Sequence, residues 1–269
     1  MLSRRRLLWV PVAGLAGAGG ASAQQRLSLG DPLRLGVDRA LMESGLAPAL
    51  LHAFGIYTGI AVKPVPGPAL ALLTALERGE IDAALTNVAE AEAKLDQQGL
   101  AHDRQAIAGG EFVIVGPALR GKGEDVLGNA LGHDAAEALK RLAQAASGSF
   151  SFLSAADGSG THLAEQALWR AAGIAPAAPW YVALAPGEEL AAQARARGAF
   201  AVVERGAWLA RGGAPLAIRV DGDPRQAENV HVMRSFRVNH PAGKIFVAWI
   251  ASAKGRRVVA AQRGYRAPV

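Results

Sequence analysis

Residues Ser151–His162 read SFLSAADGSGTH: an apolar segment passes through two alanines and an aspartate into Gly-Ser-Gly-Thr, where a helical pattern begins. This is the signature of a strand that hands over to a helix through a tight turn. The glycines let the backbone bend, while Ser159, Thr161 and the free N–H groups of the first helical turn aim donors at one spot. Such a turn suits an anion. A plainer reading is equally open, in which Ser159 or Thr161 caps its own helix.

The strand-to-helix step recurs on both sides of this turn. Leu33, Leu35 and Val37 alternate as a strand, and Ala47, Leu50, Leu51 and Phe54 follow at helical spacing behind Ser44, a potential cap. IAVKPV precedes a helix with Ala69, Leu72, Leu73 and Leu76 on one face and Gly79 past its end. IDAALT leads to AEAEAKLDQQG, again stopped by glycine. EFVIVGP (Glu111–Pro117) opens a second series: a helix near Asp134–Ala146, the strand SFSFL, a helix from about Ser159, another over Gly187–Arg197, and the strand AFAVV. ENVHVMRSFRV reads as a further strand, followed by a helix from Pro241 with Ile245, Trp249 and Val258 as apolar positions. Alternating strands and helices predict an α/β fold with mostly parallel sheets covered by helices.

The N-terminus has a different character. Arg4, Arg5 and Arg6 precede an uncharged run from Leu7 to Ala23 that contains Pro11 and four glycines. Residues 1–23 read as a signal peptide, with Ala21-Ser22-Ala23 as the small-residue cleavage site. Ser3-Arg4-Arg5-Arg6-Leu7-Leu8 also resembles a twin-arginine signal, so both export routes are open. The expected location is the periplasm, with no stable membrane insertion after cleavage. Without the leader's three arginines, 26 basic residues face 23 acidic ones, too small a surplus for a nucleic-acid partner.

The chain has no cysteine, which excludes disulfides, thiolate metal sites, cysteine nucleophiles and a lipoprotein anchor. Its six histidines are scattered without an HExxH pattern, so neither a metal nor a cofactor is expected. Asp157, Ser159 and His162 invite comparison with a nucleophilic relay. Neighbours on one turn cannot easily form one, however, and Asp157 and Thr161 stand where a nucleophile elbow needs glycines. The chain is therefore not read as an enzyme. Trp169, Trp180, Trp208 and Trp249 fall in or beside helical patterns and are expected to pack. Arg205 either faces a cleft or pairs with a nearby acid, and pairing fits its charged neighbourhood better.

In open α/β sheets, ligands sit beyond the carboxyl ends of strands. Four loops meet that condition: DRALMESG (Asp38–Gly45), PGPA (Pro66–Ala69), TNVAE (Thr86–Glu90) and SAADGSGT (Ser154–Thr161). The order of FVIVGP, SGTH with LWRAAGI and WYV, then ERGAWLA and VDGDPR, resembles the tungstate-binding proteins of bacterial ABC importers, within the periplasmic binding superfamily. ESGLAPALLHAF, GEIDAALTNVAEAE and VNHPAGKIFVAWIASAKGRRVV extend the likeness over nearly all of the chain after residue 23.

The resemblance implies two α/β lobes of type II-like arrangement, with a small ligand closed between them. One lobe would hold residues 26–113 plus 227–269, and the other residues 114–226. The candidate ligand-binding residues are Asp38, Arg39, Gly67, Asn87, Ser154, Asp157, Ser159, Gly160 and Thr161, and an ABC permease is the implied partner. This sequence departs from the family at the ligand. Val37-Asp38-Arg39-Ala40 replaces a Thr/Ser-rich first loop, Pro66-Gly67-Pro68-Ala69 replaces Gly-Thr-Gly, and Ala155 and Ala156 stand where an arginine precedes Ser-Gly-Thr. Three readings of the cleft follow. Arg39 substitutes for the missing arginine and an oxyanion binds; or the ligand has changed; or the scaffold acts as an accessory, sensor or adaptor without transport.

Overall fold

The computed structural model describes residues 27–118, 127, 133–145 and 150–268. The expected signal peptide (1–23) lies outside the described residues, as does the glycine-rich stretch 119–129 apart from Leu127. In chain order the elements are β1 (Leu33–Asp38), α1 (Arg39–Glu43), α2 (Leu46–Thr58), β2 (Val62–Gly67), α3 (Ala69–Arg78), β3 (Ala83–Thr86), α4 (Ala89–Gln97), β4 (Ala101–Pro117) and α5 (Ala135–Ala145). They continue with β5 (Phe152–Ser154), α6 (Gly160–Ala172), β6 (Tyr181–Ala183), α7 (Leu190–Arg197), β7 (Phe200–Glu204), α8 (Arg205–Arg211), β8 (Leu216–Val220), β9 (Ala227–Ser235), α9 (Pro241–Ile250) and α10 (Ala253–Ala260).

Local pattern explains most of these boundaries. Leu33, Leu35 and Val37 of β1 are fully buried, as alternation requires. In α3 the buried residues are Ala69, Leu72, Leu73 and Leu76, the predicted stripe, and the helix stops at Gly79, whose φ of 74° suits glycine. The predicted C-terminal helix is two helices: α9 ends at Ile250, and Ser252 begins α10 by accepting from the Lys254 and Gly255 amides. Ile245, an expected core position, is 39% exposed. The helix predicted from Gly187 starts at Leu190.

The strands run in the order β2-β1-β3-β9-β4-β7-β5-β6, with β8 on β4. β2, β1 and β3 pair in parallel, as do β7, β5 and β6, while β3–β9, β9–β4, β4–β7 and β4–β8 are antiparallel. The expectation of mostly parallel sheets is thus corrected to mixed ones. Strands linked by a covering helix lie parallel, whereas the long strands that pass between the two halves meet their neighbours head to tail.

β4 performs that passage. It pairs with β9 over Ala101–Glu111 and with β7 from Phe112 onward, so one strand of 17 residues serves two sheets. Register shifts between His102 and Gln105, and between Ala106 and Ala108, bend it on the way. The sequence pattern marked only its second part, because a polar run at 102–105, exposed except for the half-buried Arg104, hides the first. Each side of the passage has its own core. Leu35, Leu50, Phe54, Val232 and Phe246 pack in the first half, and Ile114, Leu139, Phe152, Trp169 and Phe200 in the second. Arg205 forms ion pairs with Glu111 and Asp221 beside the passage, as its neighbourhood suggested.

Candidate functional site

The turn between β5 and α6 holds itself in shape. Ser159 Oγ accepts from the His162 amide at 3.3 Å, Asp157 Oδ1 accepts from the Ser159 amide at 2.9 Å, and His162 Nδ1 accepts from the Gly158 amide at 3.0 Å. Burial lowers the His162 pKa, which favours the neutral ring this acceptor role needs. Asp157, Ser159 and His162 therefore brace one turn and form no relay. Ala156 adopts φ 51°, a left-handed conformation uncommon for alanine.

The Gly160 amide points out of this turn, across the junction of the two halves. It donates to Asp38 Oδ2 at 3.2 Å, while Oδ1 accepts from the Ala40 amide at 3.0 Å. The Ala69 amide, first in α3, lies close enough to favour the charged form of this carboxylate. Asp38 is the N-cap of α1 and is fully buried. Burial drives its pKa up to about 6, and the three amides pull the other way. A second backbone link crosses nearby, where the Leu70 amide donates to the Gly158 carbonyl at 3.1 Å.

Behind Gly160 lies a buried acid pair that sequence reading missed. Asn87 Nδ2 donates to Glu228 Oε2 at 2.6 Å, while Asn87 Oδ1 is buried without a hydrogen-bond partner. Glu204 caps α8, accepting from Gly206 at 2.7 Å and Ala207 at 2.6 Å. Glu228 sits beside Glu204 with its Oε1 buried and without a hydrogen-bond partner, and the buried Tyr265 close to both donates to Ser44 Oγ at 2.8 Å. Burial raises both carboxyls, Glu204 to about 7 and Glu228 well above the usual range, and the negative charge of Glu204 pushes Glu228 further up. A carboxylate ending an apolar strand just before a helix, as in FAVVE, was the available signal for Glu204. Nothing local marked Glu228 as its partner.

A pocket opens beside Asp38, bordered by Arg39, Asp157, Ser159, Thr161, Glu204 and Trp208. Its rim also carries Glu43, Glu188, Glu189 and Arg211. Arg211 of α8 pairs with Glu189 at 2.9 Å and reaches Glu43 of α1 at 3.5 Å, linking the halves once more.

The nine expected residues divide accordingly. Asp38, Asn87, Ser159, Gly160 and Thr161 are buried together around the junction. Gly67 lies opposite Asp38 in the β1–β2 register. Arg39 and Asp157 border the pocket. Ser154 is fully buried, its hydroxyl accepts from the Ala156 amide at 3.3 Å, and it lies beside Glu165 and Tyr181 in the second half's interior. Among the described residues, no group of three or more His, Asp or Glu side chains is arranged to hold a metal ion. No described helix is long and apolar enough to cross a membrane.

Residues 38–253 match the PBP superfamily domain. The tungstate-binding protein TupA of Peptoclostridium acidaminophilum is 30% identical over 227 residues, covering 81% of this chain and 76% of that protein. A putative ABC transporter anion-binding protein of Haloferax volcanii is 27% identical, covering 84% of this chain and 68% of its own length. The crystal structure of the tungstate ABC transporter from Geobacter sulfurreducens superposes with a TM-score of 0.72 at 26% identity, covering 87% of this chain and 99% of that one.

Proposed function

The chain belongs to the PBP superfamily and, within it, to the family of the tungstate-binding protein TupA; from this we propose that it is an exported solute-binding protein that captures a small solute between two lobes and presents it to an ABC permease. The observation that carries the reading is the meeting of the α6 turn with the β1 and β2 loops. Gly160 donates to Asp38 across the junction, so the first helical turn of one half faces the strand ends of the other. Backbone amides gathered in this way select an anionic group. Lobes of 26–113 plus 227–269 and of 114–226 are supported by the exchange of β4's partners near Glu111 and by the start of β9 at Ala227. The basic start and the uncharged run to Ala23 support export to the periplasm.

A thermal-shift screen of residues 24–269 tests the reading, since a solute at 100 times its Kd adds roughly 2.7 kcal/mol of stability. Small-angle scattering with the best hit should show compaction. A stabilising solute that leaves the scattering profile unchanged would count against capture between lobes.

A second reading is favoured by Asp38, which engages the turn's outward amide. On that reading the scaffold is retained as an adaptor or sensor without transport. A screen of anions and amino acids that yields no stabilising solute, together with no binding to a co-expressed permease, would support it.

A further inference from the structure

We infer that Asp38 is the specificity-determining residue of the α6 turn: its carboxylate takes the place of a captured oxyanion and discriminates against free tetrahedral oxyanions. The inference rests on the reading that solute is held at this turn. A bound anion needs amide donors drawn from both halves. Here the Gly160 amide of the second half and the Ala40 amide of the first both donate to Asp38, one to each carboxylate oxygen. The carboxylate is wholly shielded from water, so an oxyanion at the same donors would meet a buried like charge.

The surroundings leave no alternative seat at that point. Asn87 lies against Gly160 on one side, and the Leu70 amide holds the Gly158 carbonyl on another. Glu204 and Glu43 border the same pocket, as do Arg211, which pairs with Glu189 and Glu43, and the apolar Trp208. Arg39 borders it too, but the groups bonded to Asp38 are the amides.

Length is what makes aspartate effective. Its carboxylate spans from the cap of α1 to Gly160, bonding amides on both sides. Serine is also a good N-cap, yet its single oxygen sits one bond closer to the backbone and cannot bond both. Asp38→Ser should keep α1 and release the Gly160 amide. Asp38→Gly, whose φ of −55° strains no residue, is the second variant.

The experiment titrates residues 24–269, as wild type and as both variants, with tungstate, molybdate and sulfate in a calorimeter at pH 7.5 and fixed ionic strength, after circular dichroism confirms folding. We expect at least one variant to bind one of these oxyanions about 100-fold more tightly than wild type, the equivalent of one or two recovered charge-assisted bonds. A gain of tenfold or less overturns the assignment, whether all three proteins bind tightly or none binds. Sub-micromolar tungstate binding by all three would overturn it while leaving the solute-binding reading intact. A gain in the variants, with no stabilising solute found for wild type, would uphold Asp38 and count against transport.

Discussion

A β-carbon on Gly160 would stand 1.9 Å from Asn87 Oδ1, so α6 and the loop after β3 meet across the junction with no space for even a methyl group. Because no side chain tolerates that approach, Gly160→Ala must part the two halves or displace Asn87 from Glu228. The helix itself should not suffer, since alanine is the better helix former. Overpacking of this kind costs about 1–3 kcal/mol, and here the cost falls on the closed arrangement. We predict solute affinity lower by roughly 10- to 100-fold and a larger radius of gyration in scattering. Unchanged values for both would mean that closure does not depend on this contact.

The acid pair predicts how stability follows pH. Burial raises Asp38 to about 6, Glu204 to about 7 and Glu228 further, above the ordinary carboxyl range. The folded chain therefore holds protons that the unfolded chain has released, and stability falls as pH rises from about 4 through about 7. The melting temperature should be several degrees higher at pH 5 than at pH 8. Glu204→Gln with Glu228→Gln should reduce that dependence and leave the part owed to Asp38 and Glu165, as scanning calorimetry across the range can determine.

Glu165 offers a test inside the second half. Its Oε1 accepts from Tyr181 Oη at 2.7 Å and from Trp169 Nε1 at 3.2 Å, and burial raises the carboxyl to about 7. Glu165→Ala strands both donors and should cost about 2–4 kcal/mol in urea unfolding. Glu165→Gln keeps the acceptor oxygen and should cost less than about half as much. Equal losses would mean that volume, not hydrogen bonding, decides this site.

Ser159 and Thr161 should separate stability from affinity. The Ser159 hydroxyl is engaged with the His162 amide, so Ser159→Ala should lower stability by about 1 kcal/mol, as an N-cap does. Thr161 borders the pocket beside Asp38, and Thr161→Val should weaken the bound solute by about tenfold with little effect on unfolding. The reverse pattern, in denaturant and calorimetric data on the same variants, would exchange the two roles.

Much of this was legible before folding. The α3 stripe, the glycine stops and the strand-to-helix turn before Gly160 depend on neighbours within about one helical turn or one pleat, and sequence records those directly. The cap reading of the turn is realised. Ser159 caps the helix, while the Gly160 amide is free to meet a carboxylate.

The destination of Asp38 was not legible. Its partner Gly160 is 122 residues away, Glu228 is 141 residues from Asn87, and Tyr265 is 221 from Ser44. No periodicity reports such meetings, because they depend on where β4 and β9 carry the chain between sheets. The sequence by itself determined most of the elements and the loops that reach the site, since these follow from local sterics and apolar spacing, and the order of its motifs carried the resemblance to the family. Only the tertiary structure decided that Asp38 turns toward Gly160 and that Glu204 meets Glu228, because burial and long-range approach set the direction of a charged side chain.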